Sequence, residues 1–528
     1  MSQFIKHIVW SLAGRWTKAM MLIKKQNQMM SKEEKVGGHR GAALARLIWL
    51  SSTYCASIRY GKMLSLLIVC CFVACKPQTK ERLPNVIIIF ADDLGYGDLS
   101  SYGNPSISTP NLDRLAFEGQ KWTNFYVAAS VCTPSRAALM TGRYPIRNGM
   151  CSDTRRVLFP DSDGGLPPEE ITIAEQFKKA GYVTSAIGKW HLGHKEEYLP
   201  TSQGFDSYFG IPYSNDMDPV QVEGLTRRQK ILSPKSSYFN VPLLRNTEIV
   251  ERPADQTTLT KRYTEEAVKF VKDNREEPFF LYLAHSMPHV PLFASEDFQG
   301  KSKRGLYGDV IEEIDYGVGE IVKTLKETGI SENTLVVFTS DNGPWSGYNQ
   351  HGGSSGTLQG GKFTTWEGGM RVPAVFWWPE KIKPAVVRDL GSTLDLFTTV
   401  SSLIGTDIPK DRKMDGVDLS PTLFDESKSS RDQMIYYRNT EIYAVRKGAY
   451  KLHYITRPAN GKPELKITHE QPLLFDLNQD PEEKYNLAGK YPDVVEEINQ
   501  LVKQHRSTIE PVKDQLADRI KMETEIKQ

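Results

Sequence analysis

From residue 85 onward, two kinds of apolar pattern alternate along the chain. Asn85–Ala91 (NVIIIFA) is an almost unbroken β-branched run, the pattern of a strand covered on both faces. Thr109-Pro110-Asn111 then opens a helix in which Leu112, Leu115 and Ala116 share one face. Proline sits there in the first turn, where its missing N–H costs nothing. The alternation repeats with a helix over 171–180 closed by Gly181, a strand over 183–187, a helix over 260–274 and a strand over 279–285. An amphipathic helix over 308–328, closed by Gly329, leads into the strand 334–339 (TLVVFT). Strands alternating with helices predict an α/β fold, with a large and mostly parallel central sheet flanked by helices. Beyond residue 410 the texture changes. Residues 443–454 hold two short alternating runs split by Lys447-Gly448, a hairpin signal; 473–477 reads as a further strand and 492–506 as a helix. The expectation is a smaller C-terminal antiparallel subdomain with a helix, giving domains at 83–415 and 416–528.

Four of the predicted strands end in polar residues: Asp92-Asp93, Lys189 with His191, His285 with His289, and Asp341-Asn342. Open α/β sheets place ligands at the C-terminal ends of their strands. One such pair could be an ordinary Asx turn. Four strand ends stocked with acid/base and metal-binding residues point to a site.

The N-terminal stretch reads as an address. Residues 64–74 (LSLLIVCCFVA), preceded by Arg59 and Lys62, are too short to span a bilayer, which needs about 20 helical residues. They fit the apolar core of a secretory signal. The run ends in Val73-Ala74-Cys75 before a polar KPQTK, which resembles a bacterial lipoprotein signal with Cys75 lipidated. Ordinary cleavage nearby is the alternative. The basic, Met-rich residues 1–62 read as lying upstream of the true start, so 1–75 are set aside as non-structural. The expectation is an exported protein in the periplasm or on the outer membrane of a Gram-negative bacterium, touching the membrane only through that N-terminal anchor.

Composition narrows the class. With 39% hydrophobic and 25% charged residues the chain is globular, which excludes disorder and a multi-span membrane protein for its bulk. The net charge of +2 is unevenly spread: the first 75 residues carry 11 Lys/Arg against 2 Asp/Glu, and the remainder 55 against 62. A mildly acidic body without a basic tract argues against nucleic acid as a partner. It leaves room for an anionic substrate, because a local group of lysines, arginine and metal can invert the field of a pocket. Of six cysteines only Cys132 and Cys151 lie in the body, which allows one bridge and no disulfide framework.

The most specific motif is Cys132-Thr133-Pro134-Ser135-Arg136, followed by AALMTGR. Pro134 suits a first helical turn and puts Cys132 at a helix N-terminus, where the dipole favours anions; Arg136 adds a fixed charge with bidentate geometry for an oxyanion. The motif resembles the signature of the formylglycine-dependent sulfatase family, in which the cysteine is oxidised to formylglycine by a separate maturation enzyme. The resemblance covers residues 84–500 and implies an alkaline-phosphatase-like sulfatase fold. It implies that Asp92, Asp93, Asp341 and Asn342, with an oxygen from residue 132, hold one calcium ion; an all-oxygen site also suits calcium or magnesium over zinc. Gly188-Lys189-Trp190-His191-Leu192-Gly193 and the run from Gly361 through Lys362 to Gly369 match further family segments. By that resemblance Lys189 and Lys362 bind sulfate, His191 is the base acting on the formylglycine hydrate, and His289 or Lys362 protonates the leaving alcohol. Ser214 matches a weaker sulfate contact, and His285 is a further substrate-side candidate. Glu367 and Arg371 read as structural salt-bridge partners.

A sulfate ester resists attack because its anionic oxygens repel nucleophiles, so a cationic site is required. A hydrated aldehyde supplies two hydroxyls: one attacks sulfur, and the other, once deprotonated, expels sulfate. The segment order looks most like the arylsulfatase A and N-acetylgalactosamine-6-sulfatase branch. The expected substrate is a sulfated carbohydrate of glycosaminoglycan or algal-galactan type, with an aryl sulfate as the alternative. Sugar contacts are expected from loops 216–258 and 344–358, with Trp345, Tyr348, Asn349 and His351 as candidates. A phosphatase or phosphonate hydrolase of the same superfold would want more histidine ligands. A non-catalytic glycan-binding relative would lack the nucleophile or a metal ligand.

Overall fold

The structure is a computed structural model that describes residues 82–459 and 463–520, with isolated helical positions between 14 and 29. Cys75 and the apolar run 64–74 lie outside the described residues.

A ten-stranded sheet organises the body. Its strands are β1 (Asn85–Ala91), β2 (Gln120–Tyr126), β3 (Val183–Gly188), β4 (Ser207–Gly210), β5 (Leu243–Arg245), β6 (Glu248–Glu251), β7 (Phe279–Ala284), β8 (Thr334–Ser340), β9 (Arg371–Trp377) and β10 (Ala385–Ser392). Their spatial order is β10-β2-β9-β8-β1-β7-β3-β4-β5-β6. The run β8-β1-β7-β3-β4 is parallel throughout. On one side β9 runs antiparallel to both β8 and β2, and on the other β5 and β6 form an antiparallel edge. The expected sheet is therefore present, with an antiparallel strand inserted that hydrophobic patterning does not announce. The reason lies in Pro373, which breaks the RVPAVFW run as a strand signal. Pro373 sits at the register shift between β9 and β2 and beyond the last β8 partner, so its missing N–H takes no ladder bond away.

The β1 run shows why it contains no polar residue after Asn85. Val86, Ile88 and Phe90 enter one hydrophobic cluster, while Ile87, Ile89 and Ala91 enter the other. The first face is covered by helices Cys132–Thr141, Ile173–Lys179 and Leu394–Ile404, and the second by Leu259–Asp273 and Leu306–Glu327. Burial on both faces contributes roughly 1.5–3 kcal/mol per large side chain, which makes the sheet a rigid platform for whatever its strand ends carry.

A second, antiparallel sheet follows, of β11 (Gln433–Arg438), β12 (Glu441–Lys447), β13 (Tyr450–Thr456) and β14 (Ile467–Asp476). The β12–β13 hairpin turns at Gly448, whose φ of 56° is the left-handed conformation the turn requires. The helix Pro492–Arg506 packs on this sheet. Met434, Ile435 and Tyr436 join the same hydrophobic cluster as Tyr126 and Tyr144 of the larger unit.

Candidate active site

The strand ends converge at the C-terminal edge of the parallel core. Asp92 and Asp93 follow β1, Asp341 and Asn342 follow β8, Lys189 and His191 follow β3, and His289 follows β7. Gly188 makes the exit from β3 possible: its φ is 107°, and a Cβ there would lie 1.8 Å from the Ala284 carbonyl oxygen. Asp93, His191 and Phe363 carry positive φ values of 65°, 62° and 73°. Left-handed non-glycine residues cost energy and concentrate at functional sites.

Cys132 is the first residue of the helix Cys132–Thr141, whose N-terminus has no side-chain cap. Its Sγ lies 3.6 Å from Asp92 Oδ1 and 3.5 Å from Lys362 Nζ. Burial pushes the thiol up to about 12 despite Lys189 and Lys362, so it is protonated at neutral pH and a poor nucleophile as it stands. Cys151 is also free, so the one bridge the sequence allows is not formed.

Lys362 Nζ bonds Asp93 Oδ2 at 2.9 Å and lies 4.8 Å from the centroid of the Trp345 ring. Lys189 Nζ bonds Asp92 Oδ2 at 2.5 Å and Ser214 Oγ at 3.1 Å. Burial would raise the Asp92 carboxyl, but Lys189, with His289, Arg136 and Lys362, holds it well below the usual carboxylate range.

The two histidines have defined tautomers. His191 Nε2 is 2.9 Å from the Leu158 carbonyl oxygen, so Nε2 carries the proton and donates it. Its buried Nδ1 has no partner and is left as an acceptor. Burial and Lys189 drive this ring well below its ordinary value, so it is neutral at working pH. His289 Nδ1 faces two acceptors, the Val290 carbonyl oxygen at 2.6 Å and Asn215 Oδ1 at 3.0 Å, and therefore donates. Its Nε2 then points toward Asp93 Oδ2, 3.7 Å away, and Ser214 Oγ, 3.4 Å away.

The carboxylates form a dense negative group. Asp93 N–H donates to Asp341 Oδ1 at 3.1 Å, and Asn342 Nδ2 donates to Asp93 Oδ1 at 2.7 Å. Burial and the Asp92 and Asp93 charges push Asp341 up to about 7 against the pull of Arg136. Asn342 Oδ1 is buried without a partner. Exchanging the amide oxygen and nitrogen, which does not change its shape, would bring that oxygen beside Asp93 Oδ1. Three oxygen acids and an amide oxygen, carrying more negative charge than they can hold alone, fit a hard divalent cation. Asp92, Asp93, Cys132 and His289 also offer ligand atoms within 4.8 Å of one another. In that set the thiol is protonated, which leaves carboxylate oxygen as the dominant donor.

Three of the residues expected at the site have surroundings of their own. Arg136, expected beside an oxyanion, is fully buried and wholly committed: Nε and Nη2 bond Asp341 Oδ2 at 3.1 and 2.9 Å, and Nη1 bonds the Lys189 carbonyl at 2.7 Å. It orients the carboxylates and the Lys189 turn. His285 is 1% exposed, and neither ring nitrogen has a hydrogen-bond partner. His351 lies with its ring against the backbone of Ile231 and shares no hydrogen bond, ion pair or ring contact with the cluster. The loop instead presents Trp345, whose ring centroid is 5.6 Å from that of His289. The sequence reading missed Asn215, which fixes the His289 tautomer; its only sequence signal is adjacency to Ser214.

Buried His285 makes a pH prediction. Burial lowers it to about 4, below the ordinary 6.5, so the folded state takes up its proton later than the unfolded state does. Its effect is absent above pH 6.5 and destabilises progressively as pH falls to about 4, by up to about 3 kcal/mol. Urea unfolding between pH 7.5 and 4.5 should show this slope, and His285→Leu should flatten it; an equal slope in both proteins counts against it.

Comparison with known proteins agrees with this geometry. Residues 84–406 match the model of the family described as Sulfatase, and 429–528 match the C-terminal region of aryl-sulfatase. The chain is 43% identical over 451 residues to arylsulfatase A of Homo sapiens, an alignment covering 80% of this chain and 87% of that protein. It is 40% identical over 480 residues to N-acetylgalactosamine-6-sulfatase of Canis lupus familiaris, covering 82% and 88%. Among solved structures, the PsFucS1 sulfatase from Pseudoalteromonas sp. superposes with a TM-score of 0.72 at 30% identity, covering 83% of this chain and 92% of that one. Ps i-CgsB in complex with k-i-k-neocarrahexaose superposes with a TM-score of 0.68 at 30% identity, covering 84% and 96%.

Proposed function

The chain belongs to the sulfatase family and hydrolyses sulfate esters, and on that premise we propose that its substrate is a sulfated carbohydrate, cleaved with formylglycine at position 132 and one calcium ion. The observation that carries this reading is Cys132 at a helix N-terminus with Lys362 3.5 Å from its sulfur and Lys189 on the neighbouring carboxylate. A buried thiol pushed up to about 12 has no use as a nucleophile in such a site, which supports its conversion by a maturation enzyme. That a relative of the same fold has been seen with k-i-k-neocarrahexaose supports a carbohydrate over a simple aryl sulfate.

Asp92, Asp93, Asp341 and Asn342 would hold the calcium, which when bound supplies charge that draws electron density from the sulfate oxygens. Formylglycine supplies a hydrated aldehyde in place of the thiol. Lys189 and Lys362 bind the sulfate oxygens from two sides and offset their charge as the S–O bond lengthens. His191, with its proton held on Nε2 by Leu158, accepts a proton at Nδ1. His289, anchored through Nδ1, presents Nε2 to the departing alcohol oxygen and donates from it only after taking up a second proton there; otherwise Lys362, which carries its own proton, is the acid. Arg136 keeps Asp341 and the Lys189 turn in place. An exported, lipid-anchored location through Cys75 belongs to the same reading and rests on the 64–75 signal pattern.

The test uses protein from a host with the maturation enzyme. Sulfate release from sulfated mono- and disaccharides is expected to exceed that from an aryl sulfate, with no release from an aryl phosphate. Exhaustive chelation should lower kcat roughly 100-fold or more, and calcium should restore it. Unchanged activity in protein shown to be metal-free, or restoration by zinc alone, would overturn the calcium assignment. Hydrolysis confined to aryl sulfates would overturn the carbohydrate one.

A further inference from the structure

We infer that the cleft between Arg156 and Arg438 is a second oxyanion subsite, taking a sulfate or carboxylate on the sugar next to the one that loses its sulfate. The inference rests on the carbohydrate reading above and extends it to a substrate with two anionic groups.

The cleft is lined by Ser130, Arg156, Phe363, Tyr437, Arg438 and Asn439. It adjoins the reaction centre through two of them. Ser130 lies two residues before Cys132, and its carbonyl accepts the Phe363 N–H at 3.0 Å. Phe363 follows Lys362, whose Nζ is 5.6 Å from the Phe363 ring centroid. The Arg156 guanidinium is 4.7 Å from the centroid of the same ring. One aromatic ring, itself only 8% exposed, therefore neighbours both a sulfate-binding lysine and the first arginine of the cleft.

The charge in the cleft is uncompensated. Most buried or half-buried arginines here have a carboxylate: Arg143 has Glu170, Arg147 has Asp415 and Arg431 has Asp395. Half-buried Arg438 and exposed Arg156 have none among the described residues. Arg438 Nη1 donates to the Arg457 carbonyl at 3.3 Å and its guanidinium lies 5.9 Å from the Tyr443 ring centroid, while Arg156 faces the Phe363 ring. Asp153, the acid nearest in sequence to Arg156, is engaged by the Thr440 N–H and hydroxyl. Burial, together with Arg457 and Arg156, pulls Arg438 down to about 10, the direction of a cation crowded by its own sign. Burial and the charges of Arg457 and Arg227 lower Arg156 likewise. Two guanidinium groups without counter-ions, with the Asn439 amide beside them, are suited to bind a planar or tetrahedral oxyanion through paired N–H donors. The cleft is composed of β11 and the loop after the Cys132 helix, so both sheets contribute to it.

The experiment compares a monosulfated and a disulfated galactose-type disaccharide, and a monosulfated one carrying a uronate, for wild type and Arg156→Gln/Arg438→Gln. Wild type should prefer the doubly anionic disaccharides by at least tenfold in kcat/KM. The double variant should lose that preference through KM, and the two doubly anionic compounds tell sulfate from carboxylate. An equal fall on all three substrates, or no wild-type preference, overturns the subsite. A second arm uses Cys132→Ala, which cannot turn over, and measures binding of the same disaccharides by calorimetry with and without the arginine replacements. If wild type releases no sulfate from any of them, the carbohydrate reading fails. The subsite still stands or falls on whether the arginine changes weaken binding of the doubly anionic disaccharides tenfold or more.

Discussion

Cys132→Ala is expected to lower kcat for sulfate release by roughly 10⁴-fold or more, with little change in stability. Among the described residues, position 132 is the only group at the cluster with both a helix N-terminus behind it and two cations beside it. Alanine removes the sulfur and leaves a good helix former in the first turn, so the fold should survive. Lys362 and Asp92 keep their own ion pairs with Asp93 and Lys189. Intact-peptide mass spectrometry is the companion measurement: conversion of cysteine to formylglycine lowers the peptide mass by about 18 Da. The loss should appear in active wild-type protein and track activity from batch to batch. A tenth or more of wild-type activity in Cys132→Ala, or full activity with an unmodified thiol, would remove residue 132 from the chemistry.

Lys451→Met should destabilise the protein by about 3–5 kcal/mol and lower activity with it. Lys451, on β13, is fully buried and bonds the Thr365 carbonyl at 2.8 Å, Glu367 at 2.9 Å and Glu483 at 3.0 Å. Without it, two buried carboxylates face each other across the space it leaves. Glu483 would retain His453, at 2.7 Å, and Glu367 would retain Tyr436, at 3.2 Å. Glu367 also keeps the Arg371 guanidinium at 3.7 Å, so Glu483 is the carboxylate left without a full positive charge. Burial would raise Glu367, but Lys451, Arg446 and Arg371 hold it down to about 2. Its folded value lies below its unfolded one, so this stabilisation is present above pH 4.5 and is lost as pH falls toward 2. The variant should lose the share of that acid dependence that Lys451 supplies, while Arg446 and Arg371 keep the rest. Adding Glu367→Gln to Lys451→Met should cost less than the two single changes together, because the second removes the charge the first exposes. A loss below about 1 kcal/mol in urea unfolding would mean the network relaxes around the missing cation.

Much of the parallel core was legible because strands buried on both faces need unbroken apolar runs, and β1, β7 and β8 have them. The site was legible for a related reason: such runs exclude polar side chains, so acids, lysines and histidines gathered where the runs stop mark the edge at which the sheet meets its ligand. β2 is harder to read, because QKWTNFY alternates polar and aromatic positions at both of its faces. β10 is exposed along its first half, with Val386 54% exposed, and carries no core pattern there. Side-chain roles were less legible than positions. Arg136 has the right charge and spacing for an oxyanion, yet which group it meets is decided by Asp341 from a strand 205 residues away. His285 and His289 lie four residues apart in one segment, and the resemblance alone favours His289. The packing of Asn215 and Trp345 shows physically which one is aimed at the cluster and which is sealed in the sheet.

The Lys451 network sets a rule for recombining this protein with its relatives. A lysine on the C-terminal sheet holds the backbone of Thr365, three residues after Lys362, so the small sheet supports the loop that brings Lys362 to Asp93. A chimaera joined near residue 415 would inherit Glu367 from one parent and Lys451, His453 and Glu483 from the other. Such a hybrid could have every catalytic side chain in place and still fold with an unbalanced charge beneath the loop. Successful crossovers should therefore exchange these four residues as one unit, and the C-terminal sheet is not a part that can be traded freely.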